Sequence, residues 1–182
     1  NKLKENAEIN NLIKIIGLKY NTDYENDDNF NSLRYGKIIC LTDQDVDGSH
    51  IKGLLINMFH SLWPSLIRRE SFMTSLATPI VKAFKGKKEK IFYNLTDYED
   101  WRDVEANLNS WKIKYYKGLG TSTSREAKDY FVDINDKLIH YFFKSAVDGI
   151  KPKPQMLEED DDAITLAFDK SRADDRKKWL EK

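Results

Sequence analysis

Three aspartates, Asp43, Asp45 and Asp47, occupy alternate positions in the segment D-Q-D-V-D-G-S. If this segment is extended, alternate side chains point the same way and three carboxylates share one small volume. Like charges this close repel one another unless a cation neutralises them, and Mg²⁺ binds through a few carboxylates while keeping several waters. The pattern favours a magnesium site, although a solvated turn that caps a following helix explains the same residues.

Two other motifs share this spacing. An EF-hand loop that starts at Asp43 needs a glutamate at its twelfth position, where this chain has Leu54, and a helix where this chain is strand-like. The EF-hand interpretation therefore fails. A phosphatase of the haloacid-dehalogenase type also places D-x-D after an apolar strand, with the first aspartate as nucleophile. That family usually has Thr or Val where this chain has Asp47, but it stays open as an alternative.

The elements around the aspartates are those of an α/β domain. Residues 37–42 form an apolar run without alternation, which predicts a central strand of a parallel sheet. Ser49 is a candidate N-cap for an amphipathic helix that Pro64 ends. Open α/β sheets bind ligands at the carboxyl ends of their strands, which is where the aspartates fall.

The rest of the chain repeats this alternation of helices and strands. The patterns predict a mainly parallel sheet flanked by helices, with an antiparallel hairpin at its edge and a helical C-terminal tail. The predicted elements are a helix over 9–16, a polar loop over 21–32, a hairpin over 78–93, helices that start with capping boxes at Thr96 and Thr123, and strands over 111–116 and 138–143. We expect an N-terminal helix and polar loop over 1–35, the α/β domain over 36–144, and a linker and helical tail over 145–182.

Composition sets the broad class. The chain has 182 residues, 40% of them hydrophobic, and this composition predicts a folded domain. Its 30 Lys and Arg residues balance 30 Asp and Glu residues, so the chain has no overall basic field. No apolar run reaches the roughly 18 residues that a membrane span needs. The single cysteine, Cys40, lies in an apolar strand and is expected to be a buried, reduced side chain. The start has neither an initiator methionine nor a signal-like segment, so we expect a piece of a longer protein.

Four segments in the same order resemble the TOPRIM region of eukaryotic and viral type IIA DNA topoisomerases. They are L-R-Y-G-K at 33–37, T-D-Q-D-V-D-G-S-H-I-K-G-L at 42–54, T-P-I-V-K at 78–82 and K-Y-Y-K-G-L-G-T-S at 114–122. The resemblance covers nearly the whole chain and implies a Rossmann-like TOPRIM fold. It also implies a homodimeric, ATP-driven enzyme that cuts both strands of one DNA duplex, passes a second duplex through the gap and reseals the first.

The resemblance assigns catalytic and metal-binding roles to the aspartates. Asp43 resembles the carboxylate shared by two Mg²⁺ sites, Asp45 a second ligand of the outer ion, and Asp47 a carboxylate that acts through water. His50 is a further candidate that contacts a metal-bound water or a phosphate, or is only oriented by the first helical turn.

The resemblance also implies contacts with the DNA backbone. Lys117, Arg176 and Lys177 resemble positions that approach phosphates. Contacts with phosphates fix the position of a protein on DNA without reading the bases. Gly118 and Gly120 either let a phosphate approach the backbone closely or simply form a tight turn. The lysines of the predicted hairpin are expected to form a soluble exposed surface instead.

Several parts of the family pattern are expected outside this sequence. They are a glutamate in an upstream E-G-D-S strand, the nucleophilic tyrosine of a winged-helix domain, and the ATPase domain. We therefore expect no DNA cleavage by this chain alone. The expected location is the nucleus for a cellular enzyme, and a cytoplasmic viral factory or the virion for a viral one. A phosphatase-like hydrolase and a non-catalytic DNA-binding module remain the alternatives.

Overall fold

A computed structural model describes residues 5–116, 119–141 and 154–181. Helices and strands alternate through these ranges, which confirms the predicted α/β class. The elements are α1 (Ala7–Ile16), α2 (Asp27–Asn31), β1 (Ile38–Cys40), α3 (Val46–Leu62), α4 (Pro64–Ile67), β2 (Met73–Leu76), β3 (Val81–Lys85), β4 (Lys88–Phe92), α5 (Leu95–Val104), β5 (Lys112–Tyr115), α6 (Ser124–Phe131), β6 (Leu138–His140), α7 (Pro154–Phe168) and α8 (Ala173–Leu180).

The described strands form two three-stranded sheets with the orders β1-β2-β6 and β4-β3-β5. The second sheet is antiparallel on both sides of β3, with Ala83 opposite Lys90 on β4 and Ile113 on β5. The chain divides into two compact units. One draws on the residues up to Ile38, on Gly53–Thr74 and on the residues from His140 onward, and the other on Ile39–Lys52 and Ser75–Ile139.

In the first unit, α1 has the predicted boundaries. The Asn6 side chain accepts the Ile9 N–H at 2.9 Å, and Gly17 ends the helix with a φ of 85° that few other residues adopt readily. The prediction of a polar loop over 21–32 holds for residues 21–26, which form no helix or strand, but is wrong for α2. Tyr24 is fully buried within it, and Asn26 caps α2. The phenol of Tyr24 accepts the Lys19 N–H at 2.9 Å, so one buried aromatic orders a stretch whose composition is that of a loop.

The helix α7 begins within the region 145–182, which the sequence predicts as a linker and helical tail. Asp161, on this helix, accepts hydrogen bonds from His60 at 2.8 Å and from Arg68 at 2.7 Å. Burial raises the pKa of Asp161, but these two partners outweigh it and hold the pKa below its usual value. The acidic stretch around Asp161 is therefore ordered by basic partners roughly a hundred residues earlier in the chain, and His60 has a structural role.

In the second unit, an aromatic cluster packs on the antiparallel sheet. Phe92, Tyr98 and Trp101 form its centre, with Trp111 edge-on to Trp101 at 5.3 Å between ring centroids. The predicted hairpin is confirmed, with Gly86 at a φ of 59° in its turn. The predicted start of α5 at Thr96 is wrong, because Asn94 caps the helix by accepting the Asp97 N–H at 2.8 Å.

The remaining strand predictions have mixed outcomes. The strand predicted over 111–116 is confirmed as β5, and β6 covers the start of the strand predicted over 138–143, whose residues beyond Tyr141 lie outside the described ranges. Cys40 is buried as expected, whereas Ile39 beside it is 40% exposed. The prediction of a central strand is wrong for the sheet that the structure describes, because β1 stands at one end of its order. No helix within the described ranges is long and apolar enough to cross a membrane.

Candidate metal and phosphate site

The aspartate loop joins the end of β1 to the start of α3. The predicted N-cap at Ser49 is wrong, because α3 already begins at Val46. The Asp45 carboxylate accepts the Gly48 N–H at 2.8 Å, and the Asp45 carbonyl accepts the Ser49 N–H at 3.0 Å. Asp45 therefore caps the helix, four residues before the position that the sequence favoured.

Gly48 lets this loop fold tightly against the helix. A Cβ atom at this buried position would lie 1.9 Å from the carbonyl oxygen of Asp43, far inside any tolerated contact. The backbone of Asp43 is thus packed on the first turn of α3. The glycine is required here for close approach, which fixes the Asp43 backbone relative to the Asp45 cap.

The three aspartates do not converge as an extended chain would place them. Gln44 turns inward and donates to the Leu76 carbonyl at 2.9 Å, and the helix begins before Asp47 is reached. Asp43 is half-buried, and Asp45 and Asp47 are exposed. Among the residues that the structure describes, no three His, Cys, Asp or Glu side chains are grouped so as to hold a metal.

A magnesium ion nevertheless suits the donors of this loop. Mg²⁺ is commonly held by only one or two carboxylates, with waters and substrate phosphates completing an octahedron. Asp43 and Asp45 supply such a pair of hard oxygen donors, and the single hydrogen bond from Gly48 leaves the Asp45 carboxylate further acceptor sites. The N-terminus of α3, a helix of 17 residues, lies at the same place, and the partial positive charge of such a terminus favours anions such as phosphate. Asp47 and the exposed His50 lie in its first turns.

A second acidic group, Glu126, has its oxygens occupied by protein donors. Lys114 donates to both of its oxygens, at 2.8 and 3.0 Å, and the Tyr116 hydroxyl donates to one of them. The backbone N–H and hydroxyl of Thr123 donate to the other, at 2.8 and 2.9 Å. The capping box predicted at Thr123 is confirmed, and the same carboxylate also ties α6 to the end of β5.

The hydrogen bonds at Glu126 shift the pKa values of Glu126, Tyr116 and Lys114. Burial raises the Glu126 pKa, but donation from Lys114, Tyr116 and Thr123 outweighs it and lowers the pKa to about 2. Burial, together with the hydrogen bond to Glu126, raises the pKa of Tyr116 to about 12. The hydrogen bond to Glu126 likewise raises the pKa of Lys114. Glu126 is therefore a fixed anion at neutral pH.

The K-G-L-G segment lies between the two elements that Glu126 joins. Lys117 and Gly118 are outside the described residues. Gly120 is exposed in a 3₁₀ turn over Leu119–Thr121, and a Cβ atom added to it would have no atom within 4 Å. Neither crowding nor a positive φ requires glycine at this position. The open side of Gly120 leaves room for a ligand to approach the backbone.

Two of the predicted DNA-binding residues differ in their surroundings. Arg176 is half-buried, and its Nη1 donates to the carbonyls of Leu166 at 2.9 Å and Asp169 at 2.6 Å. It therefore holds the carboxyl end of α7. The Lys177 side chain is 75% exposed, with one weak contact to Asp174 at 3.4 Å. Lys177 is much better placed than Arg176 to reach a solvent-borne partner.

The hairpin lysines form the expected exposed surface only in part. Lys87, Lys88 and Lys90 are exposed as expected, although Lys90 also lies over the Trp101 ring at 5.2 Å. Lys85 is half-buried over the Trp111 ring at 5.7 Å, and Lys82 is 9% exposed and pairs with Glu89 at 3.1 Å. A cation–π contact and an ion pair therefore account for Lys85 and Lys82.

Sequence reasoning missed one basic residue near the aspartate loop. Lys52, on α3, is only 8% exposed. Its position four residues after Gly48 places it on the face of the helix that packs against the loop, which is the signal that could have found it.

Known proteins are similar to this chain over most of its length. The family described as the C-terminal associated domain of TOPRIM matches residues 76–182. Over 179 residues, the chain is 52% identical to human DNA topoisomerase 2-alpha and 51% identical to chicken DNA topoisomerase 2-beta, covering 98% of this chain but only 11% and 10% of theirs. The chain spans about a tenth of the length of these relatives.

A solved structure is similar along almost the whole chain. It is the DNA-binding, cleavage and re-ligation domain of Plasmodium falciparum topoisomerase II, which is 46% identical, with a TM-score of 0.82. The match covers 98% of this chain and 22% of that one. Both the sequence pattern and the fold are therefore shared with cleavage regions of topoisomerase II.

Proposed function

The chain belongs to the family of the C-terminal associated domain of TOPRIM, and on that basis we propose that it is the magnesium-binding TOPRIM part of a type IIA DNA topoisomerase. The complete enzyme makes a transient double-strand break, passes a second duplex through it and religates the first. The observation that carries the proposal is the aspartate loop at the carboxyl end of β1, in a chain 52% identical to a topoisomerase 2 over 98% of its length.

Within this proposal, Asp43 and Asp45 hold Mg²⁺ and are the catalytic carboxylates. Bound Mg²⁺ supplies charge neutralisation at a phosphodiester whose oxygens become more negative during strand transfer. Asp45 has a second task, because its cap on α3 keeps the helix N-terminus pointed at the same volume. Asp47, in the first turn of α3, assists through water, and His50 contacts water or phosphate.

The DNA backbone is bound by basic residues away from the metal. Lys117 and Lys177 contact phosphates directly, and the backbone at Gly118 and Gly120 allows a phosphate to approach. Support for this comes from the exposure of Lys177 and the open side of Gly120. Arg176 keeps a DNA-contact role in the proposal, but its two bonds to the end of α7 make positioning of the neighbouring helix its main contribution.

The complete enzyme is a homodimer that uses ATP in another domain and works in the nucleus, or in a viral factory or virion if the source is viral. The nucleophilic tyrosine and a further metal-binding glutamate come from other parts of that enzyme. The chain by itself should therefore bind Mg²⁺ weakly and leave DNA intact. Robust covalent cleavage of supercoiled DNA by the purified 182-residue chain with Mg²⁺ would refute this part of the proposal.

The direct test uses the complete protein with Asp43→Asn and Asp45→Asn. Each change should abolish Mg²⁺-dependent cleavage of supercoiled DNA while most of the affinity for a labelled duplex remains. Hydrolysis of a generic phosphoester by the chain alone, lost in Asp43→Asn, would instead favour the phosphatase alternative. Tighter DNA binding by Asp43→Ala with no response to Mg²⁺ would favour a non-catalytic binding module.

A further inference from the structure

The β3–β4 hairpin and the neighbouring strand β5 concentrate positive charge. Their strands carry six lysines and one acidic residue, in a chain whose 30 Lys and Arg residues balance 30 Asp and Glu residues. Lys85 lies directly opposite Lys88, and Lys87 stands in the turn that joins them. Lys112 on β5 lies opposite Phe84, the residue before Lys85. We call Lys85, Lys87, Lys88 and Lys112 the tip cluster.

The carboxylates of the described chain leave the tip cluster without a counter-charge. The one acidic residue of these strands, Glu89, pairs with Lys82 at 3.1 Å. Within the described ranges, no member of the tip cluster makes an ion pair. Like charges directly opposite one another on paired strands destabilise a sheet, so the facing Lys85 and Lys88 repel each other at a cost in stability. The tip of the hairpin is therefore an uncompensated positive patch.

The patch is presented to solvent and is partly held in place. Three of the four members of the tip cluster are exposed. The fourth, Lys85, is half-buried with its ammonium 5.7 Å from the centre of the Trp111 ring, and Lys90, further along β4, lies 5.2 Å from the centre of the Trp101 ring. A ring face attracts an ammonium group without cancelling its net charge, whereas a carboxylate would cancel it. The two tryptophans thus order these cations and leave their charge available to an anion.

The residue types at the tip favour a phosphate backbone over a protein partner. Protein interfaces are depleted of lysine and enriched in arginine and aromatic residues, and their binding energy comes mostly from anchors in buried pockets. Residues 84–90 contain no arginine and one aromatic residue, Phe84, which is half-buried. Lysine ammonium groups bind phosphates as point charges, in contacts that carry no sequence information.

We propose that the tip cluster binds the phosphate backbone of duplex DNA, in addition to the contacts made at the Asp43–Asp45 site. This inference rests on the proposed function, which supplies DNA as the ligand, and it adds a surface that the proposed function does not use. The contact is electrostatic, so it is independent of base sequence and weakens steeply as the salt concentration rises.

The test removes two exposed lysines at the turn. In the complete protein, Lys87→Gln/Lys88→Gln should bind a short labelled duplex in EDTA with a slope of log affinity against log salt that is smaller by about two. Between about 50 and 200 mM salt, the wild type should therefore lose about tenfold more affinity than this variant. Without DNA, the variant should melt at the same or a higher temperature, because the repulsion between Lys85 and Lys88 is relieved.

Two further double variants are the controls. Lys87→Arg/Lys88→Arg keeps both charges and should retain the wild-type salt slope. Lys14→Gln/Lys19→Gln removes two exposed lysines in the first unit and should leave the slope unchanged. Equal slopes in the wild type and Lys87→Gln/Lys88→Gln would overturn the proposal. An equal reduction in Lys14→Gln/Lys19→Gln would overturn it too, because net charge alone would then explain the effect.

An acidic protein is the competing partner for this surface. If Lys87→Gln/Lys88→Gln loses affinity for poly-glutamate but binds the duplex like the wild type, the tip cluster is a protein-docking surface and the proposal is wrong. An acetylation footprint of the wild-type protein makes the test without any substitution. The duplex should reduce acetylation of Lys87, Lys88 and Lys112 several-fold and leave Lys14 unaffected, and equal acetylation of the tip cluster with and without DNA would contradict the proposal.

Failure of this inference is distinguishable from failure of the proposed function. If Asp43→Asn abolishes cleavage while Lys87→Gln/Lys88→Gln keeps the wild-type salt slope, only the present inference is wrong. If the slope shrinks as expected but Asp43→Asn cleaves DNA like the wild type, the contact between the tip cluster and DNA stands and the proposed role of Asp43 is wrong.

Discussion

Two carboxylates cap helices in the same structural unit, and they differ in how many protein hydrogen bonds their oxygens accept. Glu126 receives hydrogen bonds from Lys114, Tyr116 and Thr123, and its pKa is lowered to about 2. Asp45 is exposed and receives one short hydrogen bond from the first turn of its helix. A carboxylate whose oxygens are occupied by protein donors is a structural anchor, whereas one with spare acceptor sites is available to a ligand.

The surroundings of each cap reinforce this difference. Glu126 joins the start of α6 to the end of β5, so its bonds define a tertiary connection. The loop around Asp45 is held by the packing of the Asp43 carbonyl on Gly48 and by the hydrogen bond from Gln44 to the Leu76 carbonyl, so the Asp45 carboxylate itself makes no connection to a distant element. This contrast predicts that changes at the two caps damage different properties.

The largest expected effect is on catalysis, at Asp43. In the complete protein, Asp43→Asn should lower the rate of Mg²⁺-dependent DNA cleavage by about 100-fold or more, as expected when a group that stabilises transition-state charge is lost. Asp47→Asn is the matched control and should have a much smaller effect, because its role is indirect. Single-turnover cleavage assays measure both rates. Equal losses in the two variants would contradict a direct role of Asp43 and an indirect role of Asp47.

Gly48→Ala tests the backbone contact that shapes the aspartate loop. The added Cβ would lie 1.9 Å from the Asp43 carbonyl oxygen, so the loop or the helix must shift, at a cost of about 2–3 kcal/mol in the free energy of unfolding. Gly120→Ala is the control, with no atom within 4 Å of its Cβ, and should change stability by less than about 1 kcal/mol. Urea denaturation gives both values, and equal costs would show that the loop is not packed as described.

Glu126→Gln should reduce stability by about 2 kcal/mol, because it removes a charged acceptor from Lys114. Asp129→Asn, an exposed position on the same helix, should be close to neutral.

The pH dependence at Glu126 has a definite sign. The pKa of Glu126 in the folded protein is about 2, below its ordinary value of 4.5. The stabilisation that the ionised Glu126 carboxylate provides is therefore fully present above pH 4.5 and is lost as the pH falls toward 2. The difference in unfolding free energy between the wild type and Glu126→Gln should therefore narrow over that interval. A difference independent of pH between 4.5 and 2 would mean that the carboxylate is not anchored by these donors.

The smallest effects are expected at the C-terminal end. Arg176→Ala should cost about 1 kcal/mol of stability, because it releases two carbonyls at the end of α7. Lys177→Ala should leave stability within about 0.5 kcal/mol and weaken binding to DNA of any sequence. Thermal melts and duplex titrations over a range of salt concentrations separate the two. A reversal of this pattern would reassign the DNA contact from Lys177 to Arg176.

Local signals in the sequence predicted much of the fold. The hairpin, the capping box at Thr123 and the end of α1 at Gly17 each depend on neighbouring residues, and each is confirmed. The caps predicted at Ser49 and Thr96 are wrong because better-placed side chains, Asp45 and Asn94, lie upstream of them. Several residues in each stretch could serve as a cap, and the tertiary position of the helix decides among them.

The missed features all depend on long-range contacts. The burial of Tyr24, the basic partners of Asp161 and the donors to Glu126 from β5 are set by distant parts of the chain, which periodicity does not report. The same limit applies to the aspartates, whose predicted convergence assumed an extended chain that the early start of α3 prevents. The residue types of the candidate site were thus accessible from the sequence, while their arrangement was not.

Binding of Mn²⁺ as a spectroscopic substitute for Mg²⁺ is the most direct test of whether the aspartate loop holds a metal. Electron paramagnetic resonance of the complete protein with duplex DNA should show bound Mn²⁺ in the wild type and in Asp47→Asn, and a large loss of bound ion in Asp43→Asn and Asp45→Asn. Equal Mn²⁺ binding in all four proteins would contradict the account, because the ion would then be held by other residues.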